Sequence, residues 1–119
     1  MQIKVHYKAI FVTDNDKDTI EYKEIGKLEK NNLSFNNINI YYDDYKIILK
    51  NGSSSLLFHY YKDTYNQYDV GYGKVNMTTR LLKFTKNDHT IKMKYQLLDH
   101  GDIITTFYIL VEMIPYEGA

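Results

Sequence analysis

The sequence contains no cysteine, a single proline (Pro115) and a single arginine (Arg80), and its 15 basic side chains are balanced by 15 acidic ones. Without cysteine there is no disulfide framework, no thiolate nucleophile and no cysteine-ligated metal. A neutral balance removes the general electrostatic pull toward nucleic acid or anionic lipid, and no run of lysines replaces it. No apolar run approaches the roughly 18 residues of a membrane-spanning helix. The opening MQIKVHYKAIFV alternates polar and apolar residues, so it lacks the continuous apolar stretch of a secretory leader. A cytoplasmic protein with neither nucleic-acid nor membrane partners is expected. Lysine, asparagine, isoleucine and tyrosine dominate, which reads as drift toward AT-rich codons, so the rarity of arginine does not by itself mark Arg80.

Helical periodicity is also missing, and period 2 runs almost throughout. Ile3, Val5, Tyr7, Ala9 and Phe11 share one face of a first strand, against Lys4, His6 and Lys8. Asp14 to Asp18 form a turn, and a second strand over 19–29 places Ile20, Tyr22, Gly26 and Leu28 together. A turn at Lys30-Asn31-Asn32 is expected, then a third strand to about Tyr42, a turn at Asp43-Asp44, and a fourth strand over 46–50. Asn51-Gly52 predicts a type I′ hairpin returning through 54–61. Ile91, Met93, Tyr95 and Leu97 give the cleanest half-buried strand. The last strand, 103–114, is apolar on both faces: Ile103, Phe107, Ile109, Val111 and Met113 against Ile104, Tyr108, Leu110 and Ile114.

Gly71-Tyr72-Gly73 tests whether anything cradles a phosphate. Such a loop needs a helix directly behind it. The following Lys74 to Thr79 alternate and end in two threonines, so these glycines are assigned to a strand-to-strand connection. The pattern predicts one all-β domain over 1–119, with eight or nine antiparallel strands in an up-and-down barrel whose closure removes exposed edges.

The segments GYGKVNMTTRLLKF and HTIKMKYQLLDHGDIITTFYILVEM resemble the YwiB-like family of uncharacterised bacterial proteins. The resemblance rests on Tyr72-Gly73, Val75, Met77 and Thr79, then Ile91, Met93, Tyr95 and Leu97, with Gly26 and Gly52 in the N-terminal half. It implies a calycin-like barrel, similar to lipocalins and fatty-acid-binding proteins, and implies no activity. Relatives often carry an arginine near the hairpin glycine, where this chain has Lys50-Asn51.

Catalytic and metal chemistry find little support. Asp14, Asp16 and Asp18 imitate the start of a calcium loop, but Thr19 and Ile25 stand where its glycine and glutamate belong. His6, His59, His89 and His100 form no metal-ligand spacing, and Ser53-Ser54-Ser55 follows a turn rather than forming a nucleophile elbow. No catalytic residue, metal or cofactor is assigned. An enzyme would have to be built on an inward Glu24 or Glu112 with Arg80. Base-stacking grooves pair aromatics with cations, whereas here acids balance the lysines along the strands, so the 13 tyrosines and 5 phenylalanines read as strand-forming core and cross-strand pairs. The interior face carries the remaining signal. Tyr7, Phe11, Tyr22, Met77, Thr79, Tyr95 and Phe107 are expected to line it, a composition suited to a small apolar or amphipathic ligand and equally to solid core. The alternative is an interaction protein, with a homodimer seam along the doubly apolar last strand.

Overall fold

The computed structural model describes residues 1–69 and 72–116. Ten antiparallel strands form one sheet: β1 (Gln2–Thr13), β2 (Asp16–Glu29), β3 (Asn32–Phe35), β4 (Ile38–Tyr42), β5 (Lys46–Asn51), β6 (Ser54–His59), β7 (Thr64–Asp69), β8 (Lys74–Lys86), β9 (Thr90–Asp99) and β10 (Asp102–Pro115). The spatial order is β6-β5-β4-β3-β2-β1-β10-β9-β8-β7. Every chain neighbour is therefore a ladder neighbour except β6 and β7, and β1 pairs with β10 from Ile3↔Pro115 to Val12↔Thr106. The sheet is an up-and-down, nearly closed barrel whose two remaining edges face each other.

Ten strands stand where eight or nine were expected, chiefly because the stretch from Leu33 to Tyr42 is not one strand; Asn32, expected in the turn, already belongs to β3. Asn36-Asn37 reverses the chain between Phe35 and Ile38, with Asn36 at φ 52°. Asparagine tolerates this left-handed conformation better than other side chains do. The β5–β6 hairpin also shifts by one residue. Asn51 pairs with Ser54, so Gly52-Ser53 forms the turn, with Gly52 at φ 63°, and Asn51 belongs to the strand. Gly71 lies outside the described residues. Gly73 leads straight into β8, and no helix follows it.

Period 2 translates into burial. Ile3, Val5, Tyr7 and Ala9 from β1, Ile91, Met93, Tyr95 and Leu97 from β9, and Ile109, Val111 and Met113 from β10 are buried in one core with Leu33, Phe35, Ile40, Ile47 and Phe58. Ile103 departs from its expected place. A bulge between Ile103 and Thr105 shifts the register of β10, and Ile103 is 53% exposed. No helix among the described residues is long and apolar enough to cross a membrane.

The strands differ in length, and this shapes the ends. β1, β2, β8 and β10 run 12–14 residues, whereas β3 to β7 run 4–6. The long strands project beyond the short wall as a lip, consistent with extents of 48 × 30 × 26 Å. The opposite end is plugged by Tyr42, Tyr60 and Phe84, whose ring centroids lie 5.7 Å (Tyr42–Phe84) and 6.2 Å (Tyr60–Phe84) apart.

The β4–β5 turn is held by Asp43. Its Oδ1 accepts from the Tyr45 and Lys46 N–H groups at 2.8 and 2.9 Å, and its Oδ2 accepts from the Tyr41 hydroxyl at 3.2 Å. Backbone donors, the Tyr45 N–H first, hold this carboxyl below its ordinary value of 3.8. A carboxylate favoured in the folded state stabilises the fold above pH 3.8, and that contribution is lost as pH falls through the depressed value. A carboxyl NMR titration is expected to place Asp43 below 3.8. Asp43→Asn is expected to flatten the fall in stability below pH 4, and an unchanged acid profile would contradict this role.

Candidate functional site

Two features mark the interior: a polar seam in the wall and a cavity under the lip. The buried polar side chains among the described residues are Thr64, Asn66 and Thr79, and all three lie at the β6–β7 junction. Asn66 Oδ1 accepts from the Leu57 N–H at 2.8 Å, and Nδ2 donates to the Leu57 carbonyl at 3.0 Å. One side-chain amide thus takes both main-chain groups of Leu57, as a paired strand would. The Thr79 hydroxyl donates to the same carbonyl at 2.6 Å and stands 3.1 Å from Asn66 Nδ2. Thr64 Oγ1 accepts from the His59 N–H at 3.2 Å. Outside this seam, Arg80 donates from Nε and Nη2 to the two oxygens of Asp63 at 3.0 and 2.9 Å. The lone arginine therefore clasps the β6–β7 connection to β8 with a bidentate geometry that lysine cannot copy.

The cavity has a volume of about 120 Å³ and is partly enclosed. Tyr7, Phe11, Tyr95 and Phe107 line it, with Ile20 and the turn-flanking Asn51 and Ser54 among their neighbours. Its aromatic wall is well packed. Tyr95 and Phe107 stack with centroids 4.6 Å apart, Phe58 meets Tyr95 edge-on at 4.7 Å, and Phe11 lies 5.5 Å from Phe107.

Tyr7 is only 7% exposed, and its hydroxyl makes no hydrogen bond within the described residues. Yet no fully enclosed side-chain oxygen or nitrogen there lacks a partner. The Tyr7 hydroxyl must therefore keep contact with accessible space, and Tyr7 lines the cavity. Burial, followed by the nearby Tyr22 phenol, pushes its pKa up to about 12. A phenol held neutral in this way is a hydrogen-bond donor throughout the physiological range.

The seven residues expected inside fall in different places. Tyr7, Phe11, Tyr95 and Phe107 line the cavity. Tyr22 stacks on Tyr7 at 6.0 Å from outside it, Met77 packs against the core, and Thr79 belongs to the seam. Asn66 escaped the sequence reading. The signal was Thr64-x-Asn66, two polar residues on the same face of a strand.

The acids that an enzyme would need are not gathered. Glu112 points outward, 3.8 Å from His6 Nδ1, while His6 Nε2 meets Glu21 at 2.9 Å. Arg80 on β8 is committed to Asp63 in the β6–β7 connection, and Glu24 lies on β2 opposite Val5. Among the described residues no three His, Asp or Glu side chains are grouped to hold a metal ion.

No protein-family model matches the chain, and no curated protein matches it. In structure it is similar to the ywiB protein from Bacillus subtilis, known from a crystal structure, with a TM-score of 0.64 and 15% identity over 93% of this chain and 90% of that one. The chain has a YwiB-like fold.

Proposed function

We propose that this protein is a calycin-like barrel that binds a small amphipathic molecule in the cavity under its lip. The observation that carries the reading is Tyr7: a largely buried side chain whose hydroxyl has no hydrogen-bond partner among the described residues, keeps contact with accessible space, and belongs to an aromatic-lined cavity. A buried phenol ordinarily has a partner, and a ligand acceptor would supply one. The up-and-down order and the pairing of the first and last strands support the calycin-like description.

Size limits the ligand class. About 120 Å³ corresponds to roughly four water volumes, or about one six-membered ring. Drug-sized ligands and long acyl chains need roughly 300 Å³ or more. A single-ring molecule bearing a hydrogen-bond acceptor matches both the volume and Tyr7. Phenol as a probe in amide NMR titrations is expected to bind saturably with shifts at Ala9 and Leu97. Tyr7→Phe is expected to weaken it roughly tenfold, equivalent to about 1.4 kcal/mol. Absence of saturable shifts, or equal affinity in the variant, would overturn the proposal.

The second reading is an interaction protein with a solidly packed barrel. It is favoured by the outer face of β10, where Ile104, Tyr108 and Ile114 are 38%, 42% and 55% exposed.

A further inference from the structure

We propose that the outer face of β1, β10, β9 and β8 is a docking surface for an acidic, amphipathic segment of a partner protein. Strand register puts Lys83 directly opposite Lys94, and Lys92 lies two residues along the same face. Lys8 joins them from β1, across Leu110 of β10. These four lysines rim a groove of about 580 Å³ that has no acidic residue in its lining. None of them forms an ion pair among the described residues. The nearest acid by register is Glu21 beside Lys8, and its carboxylate accepts a hydrogen bond from His6.

Like charges directly opposite each other destabilise a sheet. The arrangement is notable in a chain with equal numbers of acids and bases. Beside the lysines lie the half-buried Ile10 and Leu110 and the exposed Tyr108. Cations around apolar ground complement a segment that presents carboxylates beside apolar side chains.

Other occupants fit less well. A twofold homodimer through this face would set lysines against lysines. Base stacking lacks a free aromatic platform, because the Lys94 ammonium lies 5.0 Å from the Tyr108 ring centroid. A bilayer takes several protruding apolar groups, whereas of Ile10, Leu110 and Tyr108 only Tyr108 is exposed, and the Lys94 ammonium lies over its ring.

The test uses the full chain and a fluorescein-labelled 14-residue peptide with leucines at helical i, i+3, i+4, i+7 spacing and glutamates elsewhere. Three comparison probes are polyglutamate of equal length, a 14-nucleotide single-stranded DNA and phosphatidylglycerol vesicles. Saturable binding of the peptide is expected, at least tenfold tighter than polyglutamate. Lys83→Glu with Lys94 intact is expected to weaken peptide binding at least tenfold while raising the melting temperature, because the new carboxylate faces Lys94. Loss of binding with gain of stability is a combination that damage to the fold would not produce. Lys83→Gln/Lys94→Gln, which introduces no new charge, should weaken binding in the same direction. The proposal is overturned by no saturable peptide binding, by unchanged affinity in both variants, by DNA or vesicles binding as tightly as the peptide, or by a sedimenting dimer that Lys83→Glu dissociates.

Discussion

Asn66→Ala is expected to lower the unfolding free energy by about 2–4 kcal/mol. The barrel has no main-chain ladder between β6 and β7, and the Asn66 amide substitutes for one by accepting from the Leu57 N–H and donating to its carbonyl. Truncation leaves that N–H without its acceptor, at about 1–3 kcal/mol, and adds a small void. The Leu57 carbonyl keeps the Thr79 hydroxyl, so Thr79→Val alone is expected to cost only about 1–2 kcal/mol. The two side chains share one acceptor, so the double variant should depart from additivity by at least 0.5 kcal/mol, within the range of roughly 0.5–3 kcal/mol found for coupled neighbours. Urea unfolding of the four proteins measures the cycle. A loss below about 0.5 kcal/mol for Asn66→Ala would mean that the seam is not held by this amide.

Gly26→Ala is expected to cost about 2–3 kcal/mol, for a steric reason. A Cβ at Gly26 would stand 2.8 Å from the Ser34 carbonyl oxygen, 2.8 Å from Val5 Cγ2 and 3.0 Å from Phe35 Cβ. The carbonyl belongs to β3, and Ser34 is paired with Lys27, so it cannot retreat without loosening that ladder. Here β2 passes from its projecting half to the part that pairs with β3, and a strand glycine at a barrel corner permits that close approach. Gly101→Ala provides the contrast. Its surroundings are open, but its φ of 85° disfavours any side chain, so the expected cost is about 1–2 kcal/mol of backbone strain. Thermal unfolding should rank Gly26→Ala well below Gly101→Ala, and the reverse order would contradict the corner assignment.

What was legible in the sequence follows from which forces act locally. Alternation is a one-strand property, so Ile3 to Ala9 and Ile91 to Leu97 announced their buried faces directly. The break at Asn36-Asn37 was less visible because asparagine supplies positive φ without the glycine that usually marks it. Ile103 was misplaced because a bulge is a matter of pairing between two strands. The candidate site was half legible. Aromatics facing inward could be read from period 2, but the division into cavity, seam and core could not. That division depends on strands β6, β7 and β8 meeting in space, 13 residues separating Asn66 from Thr79 and 22 separating Leu57 from Thr79. Arg80 gained its meaning in the same way, from Asp63 across the connection.

The central claim is that the space under the lip receives a small ligand beside Tyr7. Intermolecular nuclear Overhauser effects in a phenol-saturated sample locate the probe directly. The account predicts contacts from the phenol ring to the methyl groups of Ala9, Leu49 and Leu97, which line the cavity. Contacts confined to outward methyl groups such as those of Ile10 and Leu110, or no contacts at all, would contradict it.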